Sequence, residues 1–140
     1  MIAVDTNILV YAHRRDAEFH GTADWAVPWP CLHEFFAICT HPKIYHPPST
    51  PAQAIAQIDA WLASPSLSVL GEPAGYWDRL KPILAAGRVT GALVHEARTT
   101  ALCVAHGVRE LWSADRDFGR FGAEQGRRVA SPRIRARRRS

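Results

Sequence analysis

The chain has 140 residues, 47% of them hydrophobic, with 17 Lys and Arg against 13 Asp and Glu and a formal net charge of +4. That is enough apolar chain for a domain with its own core, it excludes wholesale disorder, and no apolar run approaches the ~20 residues of a membrane span. The opening MIAVDTN has no basic region ahead of an apolar stretch, so it does not read as a secretory signal, and Cys31, Cys39 and Cys103 form no CxxC pair and read as core thiols of a reduced, cytoplasmic protein.

In chain order, Met1 to Val4 is too short for anything but a buried strand, and Asp5, Thr6 and Asn7 then mark a strand-to-helix turn. Residues 8 to about 24 read as helix and WAVPW (25–29) as a short buried strand. In the helix after Pro30, the positions Leu32, Phe35, Phe36 and Cys39 fall at i, i+3, i+4, i+7 and predict its buried stripe. HPKIYHPPS (41–49) is a Pro-rich loop. Thr50-Pro51 supplies a cap and a first-turn proline for a helix over 51–63, with Ile55, Ile58 and Leu62 expected inward. LSVL (67–70) is a third strand. A helix over roughly 73–86 is expected to be kinked or divided by Pro82. A strong helix over 91–106 ends at Gly107, a natural C-terminal cap. Glu110 to Ser113 is a fourth strand, DRDFGRF (115–121) a turn or short helix, and RRVAS (127–131) a fifth strand. Strands alternating with helices predict an α/β fold, a central parallel sheet of about five strands covered by helices on both faces.

The charge is unevenly placed. Every acidic residue lies at or before Glu124, whereas arginines stand at 127, 128, 133, 135, 137, 138 and 139 with no acid among them. The expected organisation is one domain over 1–131 and a basic Arg-rich tail over 132–140. Such a block suits a polyanion, a protein partner or solubility equally, and names no chemistry.

The acids carry more information. In open parallel sheets ligands bind beyond the carboxyl ends of the strands, where strand order reverses. Asp5 ends the first strand, Asp115 follows the fourth, and Asp117 lies two residues on. Glu34 in CLHEFFAI and Glu96 in GALVHEARTTAL each stand in the first half of a helix, and helix N-termini point to that same sheet edge. Each has an ordinary reading too. Asp5 suits a helix cap, Glu34 a first-turn acid complementing the helix dipole, Glu96 a solvated face near Arg98, and Asp115 and Asp117 a capped turn. Their shared placement favours one site. Two carboxylates 4 Å apart repel by about 4 kcal/mol at an effective dielectric near 20, so a cluster needs shared protons or a divalent cation. All-oxygen ligation favours Mg²⁺ or Mn²⁺ over zinc, and the seven histidines form no zinc-spaced pattern. His33 and His95 precede site acids but point about 100° away on their helices.

VDTNILVYA, the glutamate in PWPCLHEFFAI, the acid in TGALVHEARTTAL and LWSADRDFGRF together resemble the PIN-domain ribonucleases, and more narrowly the VapC-type toxins of bacterial toxin–antitoxin pairs. The similarity runs from residue 1 to about 131. It implies that Asp5 is a metal ligand, that Glu34, Glu96 and Asp115 are the other site acids, and that Asp117 is an additional one. Asp5, Glu96, Asp115 and Asp117 are thereby the expected metal ligands. Thr6, Asn7 and Ser113 match the small polar residues that orient the acids and water. The resemblance further implies Mg²⁺- or Mn²⁺-dependent hydrolysis of RNA phosphodiesters, in tRNA or rRNA, that inhibits translation. Its implied partners are a VapB-type antitoxin that covers the acidic groove and a second copy of the chain, as a homodimer through helices 30–63 or a toxin–antitoxin hetero-oligomer. No membrane is implied.

Two features depart from that pattern. The third acid is often aspartate, and Glu96 is one methylene longer. HGTADW (20–25) is short where relatives carry more helix. Lys43, Tyr45 and His46 in the Pro-rich loop suit either RNA contact or packing. Two other classes remain: a non-catalytic RNA-binding or regulatory module on the same fold, against which the full set of acids argues, and a flap-type DNA nuclease, for whose helical arch the length leaves little room.

Overall fold

A computed structural model of the chain describes residues 1–14, 24–113 and 128–130. In order these form β1 (Ile2–Val4), α1 (Thr6–Arg14), β2 (Trp25–Pro28), α2 (Trp29–Cys39), α3 (Pro51–Leu62), β3 (Leu67–Leu70), α4 (Tyr76–Ala86), α5 (Val94–Ala105), β4 (Glu110–Trp112) and β5 (Arg128–Ala130). The strands pair in parallel in the order β3-β2-β1-β4-β5. Strand β1 is central, and the chain builds outward from it first on one side and then on the other. The expected parallel sheet of five strands is present, and its first and fourth strands are neighbours.

Side-chain alternation along the strands sets the layers. Val4, Trp25 and Val27 face a core made with Ile8 and Leu9 of α1, Leu32, Phe35 and Cys39 of α2, and Ala54 and Trp61 of α3. Ala3, Ala26, Leu70 and Leu111 face the other way, against Leu102 and Cys103 of α5. Helix α5 in turn packs on Leu80 and Ile83 of α4 through Ala97 and Ala101. Alanines at Ala3 and Ala26 leave room for α5 to lie close on the sheet. All three cysteines are buried, as expected of core thiols.

Several local expectations hold. Thr50 caps α3 in a full capping box, its hydroxyl accepting from the Gln53 backbone while the Gln53 side chain takes the Thr50 N–H. Gly107 follows α5 with φ of 70°, in the left-handed region where glycine carries no steric penalty. Among the described residues no helix is long and apolar enough to cross a membrane.

Others are corrected. Helix α1 begins at Thr6 rather than residue 8, and 15–23 lie outside the described residues. Helix α2 starts at Trp29, ahead of Pro30, which then occupies a tolerated first-turn position. Its Phe36 is only half-buried, and Cys31 joins the buried face. In α3 the inward face is Ala54, Ile58 and Trp61, leaving Ile55 52% and Leu62 40% exposed. Trp61 decides this rotation: it meets the Phe35 ring edge-on at 4.8 Å, and an indole buries more surface than an isoleucine. Helix α4 starts at Tyr76 and runs undivided through Pro82, which is exposed. The 91–106 segment opens as a single 3-10 turn, Gly91–Leu93, before α5 begins. The second and fourth strands are each shorter than expected, and β5 is described over Arg128–Ala130.

Candidate active site

Asp5 leaves β1 at the sheet position where strand order reverses. Its N–H donates to the Trp112 carbonyl at 3.0 Å, continuing the β1–β4 ladder, and its carbonyl accepts the Ile8 and Leu9 N–H groups that open α1. The residue therefore does terminate one element and start the next. Its carboxylate does something further. Only 6% of the residue is exposed, and Ser113 Oγ, just past β4, donates to Oδ2 at 2.9 Å. Cys31 Sγ, in the first turn of α2, donates to Oδ1 at 3.6 Å. A cap on a surface helix needs neither partner.

Burial raises the Asp5 pKa above its usual 3.8, because a carboxylate loses hydration here. The Thr6 backbone N–H, Ser113 and Cys31 hold it partly down, and the nearby Glu34 charge pushes it up again. Burial also raises the Cys31 thiol, with Asp5 adding to the shift, so Cys31 stays protonated and donates. Glu34 is tied to the same place by Thr6, whose Oγ1 donates to Glu34 Oε2 at 2.7 Å and lies 3.4 Å from the Cys31 carbonyl. Thr6 thus joins the start of α1 to the start of α2, and Asp5 and Glu34 share one edge of the sheet.

Helix α5 reaches that edge through Thr99, whose Oγ1 lies 3.6 Å from Cys31 Sγ. Glu96, one turn earlier, is half-buried in the first turn of α5. Arg98, two residues on, contacts Glu72 at 4.0 Å. Asn7 is half-buried at the start of α1. Asp115 and Asp117 lie outside the described residues. Among the described residues no three His, Cys, Asp or Glu side chains gather tightly enough to hold a metal. The structure brings Asp5 and Glu34 together with Thr6 and Ser113.

Cys31 and Thr99 are site residues that sequence reading assigned to the core or passed over. Both stand three residues from a site acid, Cys31 before Glu34 and Thr99 after Glu96, which puts each on the same helical face as that acid. His33 is exposed and tilted against Trp29 at a 6.0 Å ring separation. Tyr45, considered for RNA contact, is buried instead, stacked on His13 and covered by the Arg14 guanidinium at 4.3 Å.

Comparison with solved structures defines the class. VapC20 of Mycobacterium tuberculosis, described as a sarcin-ricin loop cleaving toxin, superposes with a TM-score of 0.65 at 16% identity over 87% of this chain and 95% of that one. VapBC2 of Rickettsia felis, bound to a DNA fragment from its promoter, gives 0.64 at 18% identity over 94% and 98%. The fold is therefore that of the PIN-domain toxins. In sequence, ribonuclease VapC37 of Mycobacterium tuberculosis is 30% identical over 133 residues, covering 86% of this chain and 92% of the relative. Ribonuclease VapC48 of the same species is 29% identical over 140 residues, covering 91% and 94%. No protein-family model matches the sequence. The chain belongs to the VapC ribonucleases.

Proposed function

We propose that this chain is an endoribonuclease toxin that hydrolyses RNA phosphodiester bonds with a divalent cation, Mg²⁺ or Mn²⁺, at the edge formed by Asp5 and Glu34. The observation that carries the reading is the burial of Asp5 between Ser113 and Cys31 at the strand-order switch. Among the described residues, the groups acting on that carboxylate are hydroxyl, thiol, backbone amide and a second carboxylate, none of them a cation. A desolvated carboxylate raised by burial and facing another acid is suited to hard cation binding, and its oxygen donors match magnesium or manganese rather than zinc.

Asp5 and Glu34 would hold the cation, with Glu96, Asp115 and Asp117 as the further candidate donors. When bound, such an ion polarises a phosphate and acidifies water. The chain's own residues then have separate tasks. Ser113 and Cys31 donate to the two Asp5 oxygens and fix the plane of the carboxylate. Thr6 holds Glu34 by one oxygen and leaves the other for ligation or for receiving a proton from the attacking water.

The partner in this reading is a VapB-type antitoxin, in line with the VapBC2 complex among the structural neighbours. Exposed Ile55 and Leu62 on the outer face of α3 support a second copy of the chain as a further partner. An RNA target in the translation machinery places the protein in the cytoplasm, and the Arg-rich tail over 132–140 would add sequence-tolerant phosphate affinity. The testing experiment is mapping of new RNA 5′ ends after brief expression, with Asp5→Asn as control. Discrete cuts in tRNA or rRNA with wild type alone are expected, and an identical pattern from both proteins would sink the proposal.

A further inference from the structure

Beside the acid pair lies a cleft of about 270 Å³ that the proposed reaction does not yet use. Trp29, Pro30 and His33 of α2 form one wall, Arg98 and Leu102 of α5 the other, and Leu70 to Glu72 after β3 the floor. It opens at the same sheet edge as Asp5. Pro30 stands one turn before Glu34 on the same helical face, which sets the cleft one helical turn from the Glu34 side of the acid pair.

Its lining has a particular chemistry. Trp29 is 41% exposed although it begins a helix otherwise rich in buried side chains, and the His33 ring leans on it at 6.0 Å and 31°. Such a braced indole offers a flat face to a planar ligand. Arg98 pairs with Glu72 at 4.0 Å between side chains 33% and 57% exposed, and it lies beside the Tyr76 hydroxyl. A pair that long and that wet is weak, so the guanidinium can exchange Glu72 for a phosphate, with which charge-assisted hydrogen bonds are stronger. The volume is just below the roughly 300–1,000 Å³ of pockets for drug-sized ligands, which suits one nucleotide.

We infer that the cleft between Trp29 and Arg98 is a subsite for one unpaired nucleotide next to the scissile bond, its base stacked on Trp29 and its phosphate taken by Arg98. This rests on the ribonuclease reading and deepens it: the site selects RNA in which a base beside the cut is splayed from its neighbours. Stacking gives a preference for large bases without reading their edges.

The test uses the full chain carrying Asp5→Asn, so that RNA is not cut, and two fluorescent probes, a dodecamer of riboadenosine and the same backbone without bases. Trp29→Ala should weaken the riboadenosine dodecamer about tenfold and leave the abasic strand unchanged. Trp29→Phe should restore most of the loss, which a merely structural role would not predict. Trp77→Ala, an exposed indole on α4, should change neither. Arg98→Gln should lower the slope of log affinity against log salt by about 0.7 for both probes. Glu72→Gln, which releases Arg98, should tighten both by up to about fivefold. Equal losses on the two probes, or none, in a Trp29→Ala protein with normal melting would overturn the subsite and leave the ribonuclease reading standing on its cleavage map. Absence of binding to either probe at low salt would overturn both. If Trp29→Ala weakens a co-expressed antitoxin but not RNA, the cleft belongs to the antitoxin and the inference is wrong.

Discussion

Ser113 and Asp5 are 108 residues apart in sequence and 2.9 Å apart in space, hydroxyl to carboxylate, at the ends of adjacent parallel strands. Ser113→Ala removes that donor without altering the sheet register. Supporting partners of metal-binding groups typically cost 10–100-fold when lost, and a hydrogen bond to a charged group is worth about 1.5–3 kcal/mol. We expect RNA cleavage to fall at least tenfold and stability by about 1 kcal/mol or more at neutral pH. Cleavage kinetics and urea unfolding of the purified variant would check both.

Asp5→Asn should abolish cleavage and yet make the metal-free protein more stable. The amide keeps an acceptor for Ser113 or Cys31 while removing a charge that burial and Glu34 both disfavour. A rise in melting temperature of a few degrees is the expected outcome. A clear fall would mean that the Asp5 charge is compensated in the free protein.

The pH dependence has a definite sign. Asp5 has a folded pKa above 3.8, so the folded chain binds its proton more tightly than the unfolded chain does. That contribution is fully present below 3.8 and is lost as pH rises through the raised folded value. Metal-free wild type and Asp5→Asn should accordingly match in urea midpoint near pH 3.5, with the variant pulling ahead toward pH 7.5. Parallel curves over that range would refute the raised pKa.

Manganese should reverse the order. A ligand specific to the folded state adds about 2.7 kcal/mol at a hundredfold excess over its dissociation constant, enough for roughly 10 °C in a domain of this size. Wild type should gain that shift in Mn²⁺ or Mg²⁺, Asp5→Asn much less, and Zn²⁺ should give neither a comparable gain. Differential scanning fluorimetry with the three metals decides it.

The two sides of α3 should behave differently. Trp61→Ala opens a cavity against Phe35 and should cost about 3 kcal/mol or more. Ile55→Asp and Leu62→Asp, on the exposed face, should leave the monomer's stability within about 0.5 kcal/mol but dissociate any assembly built on that face. Denaturant titration and light scattering separate the two effects.

How far the sequence disclosed this depends on range. The Thr50 cap, the Gly107 stop and the strand-end position of Asp5 are set by residues within a few positions of each other, and each was legible. The face of α3 was not. Its apolar residues fit two helical stripes, and the choice rests on Phe35, a residue of another helix. Cys31 and Thr99 were invisible as site residues for a similar reason: nothing local says that α2 and α5 meet over the sheet edge. Glu34 was legible in place but not in its tie to Thr6, which joins residues 28 apart. Asp115 and Asp117 lie outside the described residues, so their part in the site rests on resemblance alone.

Cys31, Cys39 and Cys103 are buried thiols at three places in one molecule: beside Asp5, at the far end of α2, and on α5 against the sheet. An alkylating reagent can reach each only when its surroundings part, so the three labelling rates are clocks for three separate openings. Cys31 keeps time for the gap between α2 and α5, and a cation or an antitoxin seated there should slow that clock while the Cys39 clock runs on unchanged. The wild-type chain thus carries its own reporter of when the Asp5 edge is open, readable by mass spectrometry without any engineered label.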